Sequence, residues 1–418
     1  MNTTYFKMAL QMLRSNPFFS ALSIAAIAIT VMIVLIISMQ YENVTTPGAA
    51  EVNLSRTVFL SRGILKDTDT GGQHSSYLGS DIVSHLKKEL KIPIAISQWA
   101  ETEWNFVSSH GVRPSKLIYT DADYWKINRY DFISGRSFTQ DEVENGSEVI
   151  VISQSIAQNE FADEDAVGRN IGLLGRPFRI IGVVGDVSSV RRYSHGDLWI
   201  PFTLNNEENF AVFLGSYMLM LMGESRSDIK AMKQEAQREI HNLSLSLPQH
   251  NKLFVPGPDT AFEAHFRQWQ NTGDVGFTSS WLQIILRVLA IMLIPALNLV
   301  AINLTWVDER AREIGLRKAF GATRFTLVKQ LLAENTLITA MGASVGLVLS
   351  FVVAHLFPGL LFRGQWDQAA NFVEISISWL PFLITIISVF ILSIFSGLIP
   401  AIRISQTQPA AVLKGGAL

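Results

Sequence analysis

The chain contains no cysteine. Disulfides and thiolate metal sites are therefore excluded, and the redox state of the compartment leaves no mark on the sequence. Charge is scarce: Asp, Glu, Lys and Arg make up 17% of the 418 residues, against about 25% in an ordinary soluble domain. The formal net charge is -2, so there is no basic excess of the kind that binds nucleic acid. Gly-x-x-x-x-Gly-Lys-[Ser/Thr] occurs nowhere, and these residues hold no visible phosphate-cradling P-loop. The histidines are scattered and form no His-Glu-x-x-His or similar ligand pair, which argues against a metal site. Paired carboxylates such as Glu101 and Glu103, or Asp163 and Asp165, read as solvated loop charge and assemble into no acid–base pair. No catalytic residue is expected, and the chain reads as a non-enzyme.

What the chain has instead is apolar residues gathered in blocks. Four blocks are long enough to cross a bilayer at about 1.5 Å per residue: 18–40, 281–305, 331–357 and 379–401. The first carries no charge from Phe18 to Met39. It is too long for a signal-peptide core of about 7–15 residues and reads as an uncleaved anchor. Trp281, Trp306 and Trp379 stand at span ends, where indole rings favour the interface. Arg287 and Glu334 lie near span ends and can reach headgroups, while Asn298 and Asn303 lie deeper and can bond between helices. So few buried charges make a poor ion pathway.

Cations set the orientation. Lys7 and Arg14 precede the first span; Arg310, Arg312, Arg317, Lys318, Arg324 and Lys329 lie between the second and third; Arg403 and Lys414 follow the fourth. The positive-inside rule puts residues 1–17, 306–330 and 402–418 in the cytoplasm, and residues 41–280 and the short loop 358–378 outside. The expected fold is a membrane protein of four transmembrane α-helices, with a large α+β extracytoplasmic domain between the first and second spans. Within that domain Ser80–Leu90 reads as an amphipathic helix with Ser80 as N-cap, and 227–243 as a second. Residues 148–153, 178–184 and 198–202 read as strands, 154–161 as a short helix, and 67–76 as a polar loop. Phe262, Phe266 and Trp269 recur at helical spacing and point to a stalk that descends to the membrane.

Two motifs need weighing. Gly342-Ala-Ser-Val-Gly346 matches the Gly-x-Ser-x-Gly nucleophile pattern, but a real elbow needs a strand–turn–helix context. Inside an apolar span, Gly342 and Gly346 read instead as close helix packing. The other motif is Arg312-Glu-Ile-Gly-Leu-Arg-Lys-Ala-Phe-Gly-Ala-Thr-Arg324. Glu313 and Arg317 share a helix face. Ala319, Gly321 and Ala322 permit close approach, and Gly321 can end a helix before Thr323 opens the next. Arg312, Arg317, Lys318 and Arg324 supply cations for a partner's carboxylates or carbonyls.

This motif, followed by Gln330-Leu-Leu-Ala-Glu334, resembles the signature loop of the MacB/FtsX-like permeases, the four-span subunits of type VII ABC transporters. The tail from Pro400 to Ser405, with Pro409 to Leu413, is similar to that family's closing segment. Gly135-Arg-Ser-Phe138, Glu148 to Ser153, Ala166-Val-Gly168 and Phe178 to Val183 look like its periplasmic core domain. MacB itself carries a fused ATPase domain that has no counterpart in these residues.

The resemblance implies that Arg312, Glu313, Gly315, Arg317, Lys318, Ala319, Gly321, Ala322 and Arg324 dock onto a separate ABC ATPase subunit, which binds ATP and Mg. It implies a second permease copy or a paralogue, a membrane lipid environment and no cofactor in this chain. The bacterial inner membrane is the expected location. The output implied is mechanotransmission, in which cytoplasmic ATP hydrolysis moves the outer domain to drive efflux or extraction of peptide, drug or lipoprotein-like cargo. A periplasmic adaptor and outer-membrane duct are further partners of some members. An FtsX-like scaffold that activates a cell-wall hydrolase is the alternative.

Overall fold

The computed structural model describes residues 17–108, 111–162, 164–189, 191–205, 213–247, 251–267 and 323–357, and individual residues of 282–300 and 379–394. The chain divides into two compact units. One takes in Asn43–Ser280 and Phe362–Glu374; the other takes in Met1–Glu42, Trp281–Leu361 and Ile375–Leu418.

The first unit is built on strands β1 (Thr57–Leu60), β2 (Gly63–Asp67), β3 (Gln73–Leu78), β4 (Ala95–Ser108), β5 (Gly111–Thr120), β6 (Phe132–Gly135), β7 (Val149–Ser153), β8 (Asn170–Leu173), β9 (Arg176–Val184), β10 (Leu198–Pro201), β11 (Leu214–Gly215), β12 (Met218–Met222) and β13 (Asn251–Phe254). Among the described residues nine strands form one mixed sheet, in the order β1-β12-β4-β5-β10-β7-β9-β6 with β8 also on β9. A four-stranded sheet runs β11-β3-β2-β13. The central strands are buried on both faces, which explains their near-continuous apolar runs. Trp199, Val151, Ile118 and Ile181 enter one core. Their neighbours Leu198, Ile200, Ile150, Ile152, Leu117 and Ile180 enter the opposite one, as a side-chain period of two requires. A third core joins Val58, Leu60, Leu219 and Leu221 to Ile82, Val83 and Leu86 and to Met232, Ala236 and Ile240. These last two groups belong to helices Ser80–Glu89 and Ile229–Leu245.

Several sequence expectations shift. The N-cap of the first of these helices is Gly79, without a side-chain bond, and Ser80 is already helical. The second helix begins two residues later than its pattern implies, because Ser225 and Asp228 form a capping box around a 3-10 turn first. The polar stretch 67–76 is mostly a hairpin between β2 and β3. Asp67 closes its turn by accepting from Asp69 N–H at 2.8 Å and Thr70 Oγ1 at 2.7 Å. Glu101 and Glu103 are not loop residues: both lie on β4, and Glu101 pairs with Lys116 of β5 at 2.6 Å.

The Gly135-Arg-Ser-Phe138 motif has a mechanical reason. Gly135 has φ +73°, and a Cβ there would sit 2.1 Å from the Ile181 carbonyl oxygen. Only glycine lets β6 turn this close over β9. Phe138 is then buried against Trp125, ring centroids 5.4 Å apart. Arg136 grips Glu142 with two bonds of 2.7 and 2.8 Å, and Glu142 also accepts from Thr139 N–H at 2.8 Å in a capping box. The Arg136 bonds are the main reason the Glu142 carboxyl is pulled down to about 2. The folded value lies below the ordinary unfolded value of about 4.3, so this stabilisation is complete above that pH and is lost as pH falls towards 2. Glu142→Gln should therefore lower stability at neutral pH by about 1 kcal/mol or less, given how exposed Arg136 is, and should flatten the acid limb of a melting-temperature-against-pH curve. An identical acid limb in the variant would remove Glu142 from the account.

The second unit holds α1 (Pro17–Thr45), α8 (Arg324–Leu356) and the apolar α9 (Phe382–Ile391), with α2–α7 numbered through the sheet unit. Among the described residues two apolar stretches are long enough to cross a membrane: Ser20–Met39, 20 residues, and Asn335–Leu356, 22 residues. Ile27, Val31, Val34 and Leu35 of α1 pack with Ile338 and Ala343 of α8 and with Val389 of α9.

Candidate functional site at the entry and exit of the sheet unit

The loop residues Arg312, Glu313, Gly315, Arg317, Lys318, Ala319, Gly321 and Ala322 lie outside the described residues. Most of the 281–305 span, the loop 358–378, and residues 1–16 and 402–418 do too. Arg324 is the first residue of α8, which Thr323 caps by accepting from Thr326 N–H at 3.3 Å. That helix runs unbroken through Asn335–Leu356, so it starts well before the apolar stretch. Phe325 is exposed on its first turn, with the Lys329 ammonium 4.6 Å over its ring. Gly342 and Gly346 face α1: a Cβ on Gly342 would meet Ile27 Cβ at 2.7 Å, and one on Gly346 the Ala28 carbonyl oxygen at 2.4 Å. Ser344 between them is mid-helix and donates to the Ala340 carbonyl at 2.8 Å. It has none of the strand–turn–helix exposure that a nucleophile requires.

The structure brings together a group of residues that no local motif marks. α1 ends at Thr45, and residues 46–56 carry the chain into the sheet unit. Arg191 donates from its guanidinium to the Thr46 carbonyl and lies 3.7 Å from Glu51, with side chains 2% and 4% exposed. Glu51 also accepts from the Ser194 hydroxyl at 3.0 Å. Burial pushes the Glu51 carboxyl above its ordinary range, although Arg191, Ser194 and the Gly48 backbone pull it down. A side chain at Gly48 would come 2.9 Å from Arg191 Nε, so glycine lets the guanidinium lie on the backbone. Asn53 donates to the Ile127 carbonyl at 2.9 Å and accepts from Arg56 at 2.7 Å, which fixes the next turn of the entry segment to α3 (Tyr124–Ile127).

Arg191 is held in a double turn. Its N–H donates to Ser188 O at 2.9 Å, and its carbonyl accepts from His195 N–H at 2.7 Å. Asp197 then locks into the sheet: its carbonyl accepts from Ser153 N–H, and its carboxylate from Lys116 N–H at 2.8 Å. The next residue opens β10, between β5 and β7. Tyr130 donates to the Ser194 carbonyl, Tyr124 lies 2.9 Å from the Tyr130 hydroxyl, and Tyr124 donates to the Tyr193 carbonyl at 3.3 Å. Burial pushes all three tyrosine hydroxyls above their ordinary range, so they remain protonated.

The exit segment reaches the same turn. Asp259 exchanges backbone hydrogen bonds with Phe59 of β1, 2.7 and 2.9 Å long, and Phe59 stacks on Tyr193 at 3.7 Å. The Asp259 carboxylate receives Arg267 at 2.8 Å in a bidentate pair. Arg267 ends α7 (Ala261–Arg267). Burial alone would raise the Glu263 carboxyl, but Lys233 and Thr260 outweigh it and hold it below its ordinary value. Burial, helped by the nearby Arg192 charge, lowers the His265 ring.

These features define an α+β sheet unit on a chain with apolar helices long enough to cross a membrane, its entry segment tied directly to one turn and its exit segment tied to that turn through Phe59. Residues 20–239 match the MacB-like periplasmic core domain and residues 285–409 the FtsX-like permease C-terminal domain. The chain belongs to the MacB/FtsX-like ABC transporter permease family. It is similar to the uncharacterized ABC transporter permease YknZ of Bacillus subtilis, 25% identical over 70% of this chain and 68% of that protein. It is also similar to the macrolide export ATP-binding/permease protein MacB of Wolinella succinogenes, 24% identical over 97% of this chain. The chain spans 60% of the length of that MacB protein and 43% of its counterpart from Aggregatibacter actinomycetemcomitans. Among solved structures, the extracellular domain of YknZ aligns with 47% of this chain and 99% of its own length, at 16% identity and TM-score 0.36. The periplasmic region of MacB from Actinobacillus actinomycetemcomitans aligns with 51% of this chain and 94% of its own length, at 17% identity and TM-score 0.34.

Proposed function

We propose that this chain is the permease subunit of an ATP-driven complex, with no catalytic residue of its own. A separate ABC ATPase, holding ATP and Mg, docks on the cytoplasmic segment 306–330 through Arg312, Glu313, Gly315, Arg317, Lys318, Ala319, Gly321, Ala322 and Arg324. Four spans anchor the chain in a bacterial inner membrane with both termini inside and residues 41–280 outside, and a second copy or a paralogue completes the dimer. Hydrolysis moves the outer domain, and cargo of peptide, drug or lipoprotein type is extracted or expelled, through an adaptor and outer-membrane duct where these are present.

One observation carries this reading. α8 is a single helix from Arg324 to Leu356, capped by Thr323 at the end of the basic motif and packed on α1 through its apolar stretch. A push on the motif therefore reaches the packed helices through one continuous hydrogen-bonded rod. Coupling requires only that nucleotide change the balance between two arrangements of that rod.

The test is purification of the full chain from membranes of its host in mild detergent, with identification of what accompanies it. A stoichiometric P-loop subunit is expected, and Arg317→Glu or Gly321→Trp should abolish its stimulation while the permease still reaches the membrane. Stimulation unchanged in both variants would remove this segment as the docking site. A cell-wall hydrolase bound to the outer domain in the same sample would replace transport by signalling.

A further inference from the structure

The turn that carries Arg191, Arg192 and Tyr193 holds the entry segment directly and reaches the exit segment through Phe59 of β1. Arg191 holds Thr46 and Glu51 of the entry segment. Tyr193 stacks on Phe59, whose backbone is bridged to Asp259 of the exit segment. The Arg192 charge acts on His265 of α7. The turn is also anchored inward, through Ser194 to Tyr130 and Tyr124 and through Asp197 to the start of β10. A displacement that arrives along α1 thus meets this buried group at Thr46, the first residue after the helix. Such a group moves as a body or not at all, because breaking it strands a charge away from water.

We propose that this turn is the junction through which motion of α1 is handed to the sheet domain, with Arg191 as its positioning residue; the proposal rests on the coupled-permease reading above. Arg191 is suited to the role because one planar head satisfies a backbone carbonyl and a carboxylate together, which a lysine ammonium cannot match in fixed geometry. Without Arg191, α1 moves while residues 46–51 slide over the sheet domain.

The absence of native cysteine makes the test direct. Spin labels are placed at Pro47→Cys and Glu144→Cys, both exposed positions of the sheet unit, in the full chain in lipid nanodiscs, with its copurifying ATPase and with or without ATP. The distance between labels should be narrowly distributed in the parent protein. In Arg191→Ala the distribution should broaden about twofold or more, as expected when a local contact opens without global unfolding. Arg191→Lys should fall between the two. ATPase turnover should be retained in both variants, while the nucleotide-dependent change in the distance between two sheet domains, read from the Glu144 label alone, is lost in Arg191→Ala. If Arg191→Ala does not fold, Glu51→Gln decides by the same criteria, since it keeps the volume and removes the charge. An unchanged width together with an unchanged nucleotide response overturns the junction. The two ideas fail separately: a broadened distribution with no copurifying ATPase sinks the coupled-permease reading and leaves the turn a clamp, whereas a bound ATPase with an unchanged distribution sinks the junction.

Discussion

Gly346→Val should drive α1 and α8 apart. A Cβ at this position would sit 2.4 Å from the Ala28 carbonyl oxygen, 2.8 Å from Val31 Cβ and 3.0 Å from Ala28 Cα. The first and last of these are backbone atoms of a helix, so the clash cannot be relieved by a rotamer change. One turn earlier Gly342 is held as tightly against Ile27 and Ile24, and a shift that accommodates valine must lift the helix off both contacts. Helix pairs in a membrane associate mainly through such close packing, and overpacking costs about 1–3 kcal/mol or more. The expected result is a large loss of thermal stability in detergent, with a weaker cross-link between cysteines placed on the two helices. Ser344→Ala is the internal control. Its hydroxyl is exposed and, among the described residues, bonds within its own helix, so its effect should stay within about 0.5 kcal/mol. Equal behaviour of the two variants would mean that the glycine pair does not set the helix contact.

Asp259→Ala should be the most damaging single change at the exit of the sheet domain. Asp259 is 7% exposed and Arg267 is 12% exposed, so removing the carboxylate leaves a guanidinium largely cut off from water. Removing one partner of a buried pair costs about 3–5 kcal/mol. The backbone bridge to Phe59 would remain, so the loss should concentrate in α7 and spare the nine-stranded sheet. Amide exchange should show it: protection lost over 260–267 and retained over 57–60 and 198–201. Uniform loss across the whole domain would mean that Asp259 supports global stability instead of the local joint.

How much of this was legible in the sequence depended on whether the cause was local. Residues 148–153 and 178–184 read as strands because both faces are buried and the runs are rich in Val and Ile. The helix at 154–161 matches its expected bounds, with Ser153 as its cap. The long hairpin of β4 and β5 escaped notice because Glu101, Glu103, Arg113 and Lys116 interrupt its apolar alternation. Pairing across the two strands is what joins Glu101 to Lys116, while Arg113 reaches Ser155 outside the hairpin. The β2–β3 hairpin was hidden for a related reason: β3 is mostly exposed and polar, and pairing with β2 and β11 makes it a strand. The Arg191 group left no trace, since Arg191 and Thr46 are 145 residues apart. A lone arginine beside a second arginine in a turn carries no period or spacing that marks it.

Sequence by itself determined the apolar blocks, the placement of cations around them, and the basic motif with its small residues. Each follows from transfer energies and helix periodicity, which act over a few neighbouring residues. It determined the α+β texture of the region between the first two apolar blocks for the same reason. Tertiary structure decided which strands pair, why Gly135 must be glycine, which face of α8 meets α1, and that the entry segment and the Phe59 bridge to the exit segment converge on one turn. Those outcomes depend on which atoms are excluded from water together, and chain order does not encode that until the sheet has closed around them.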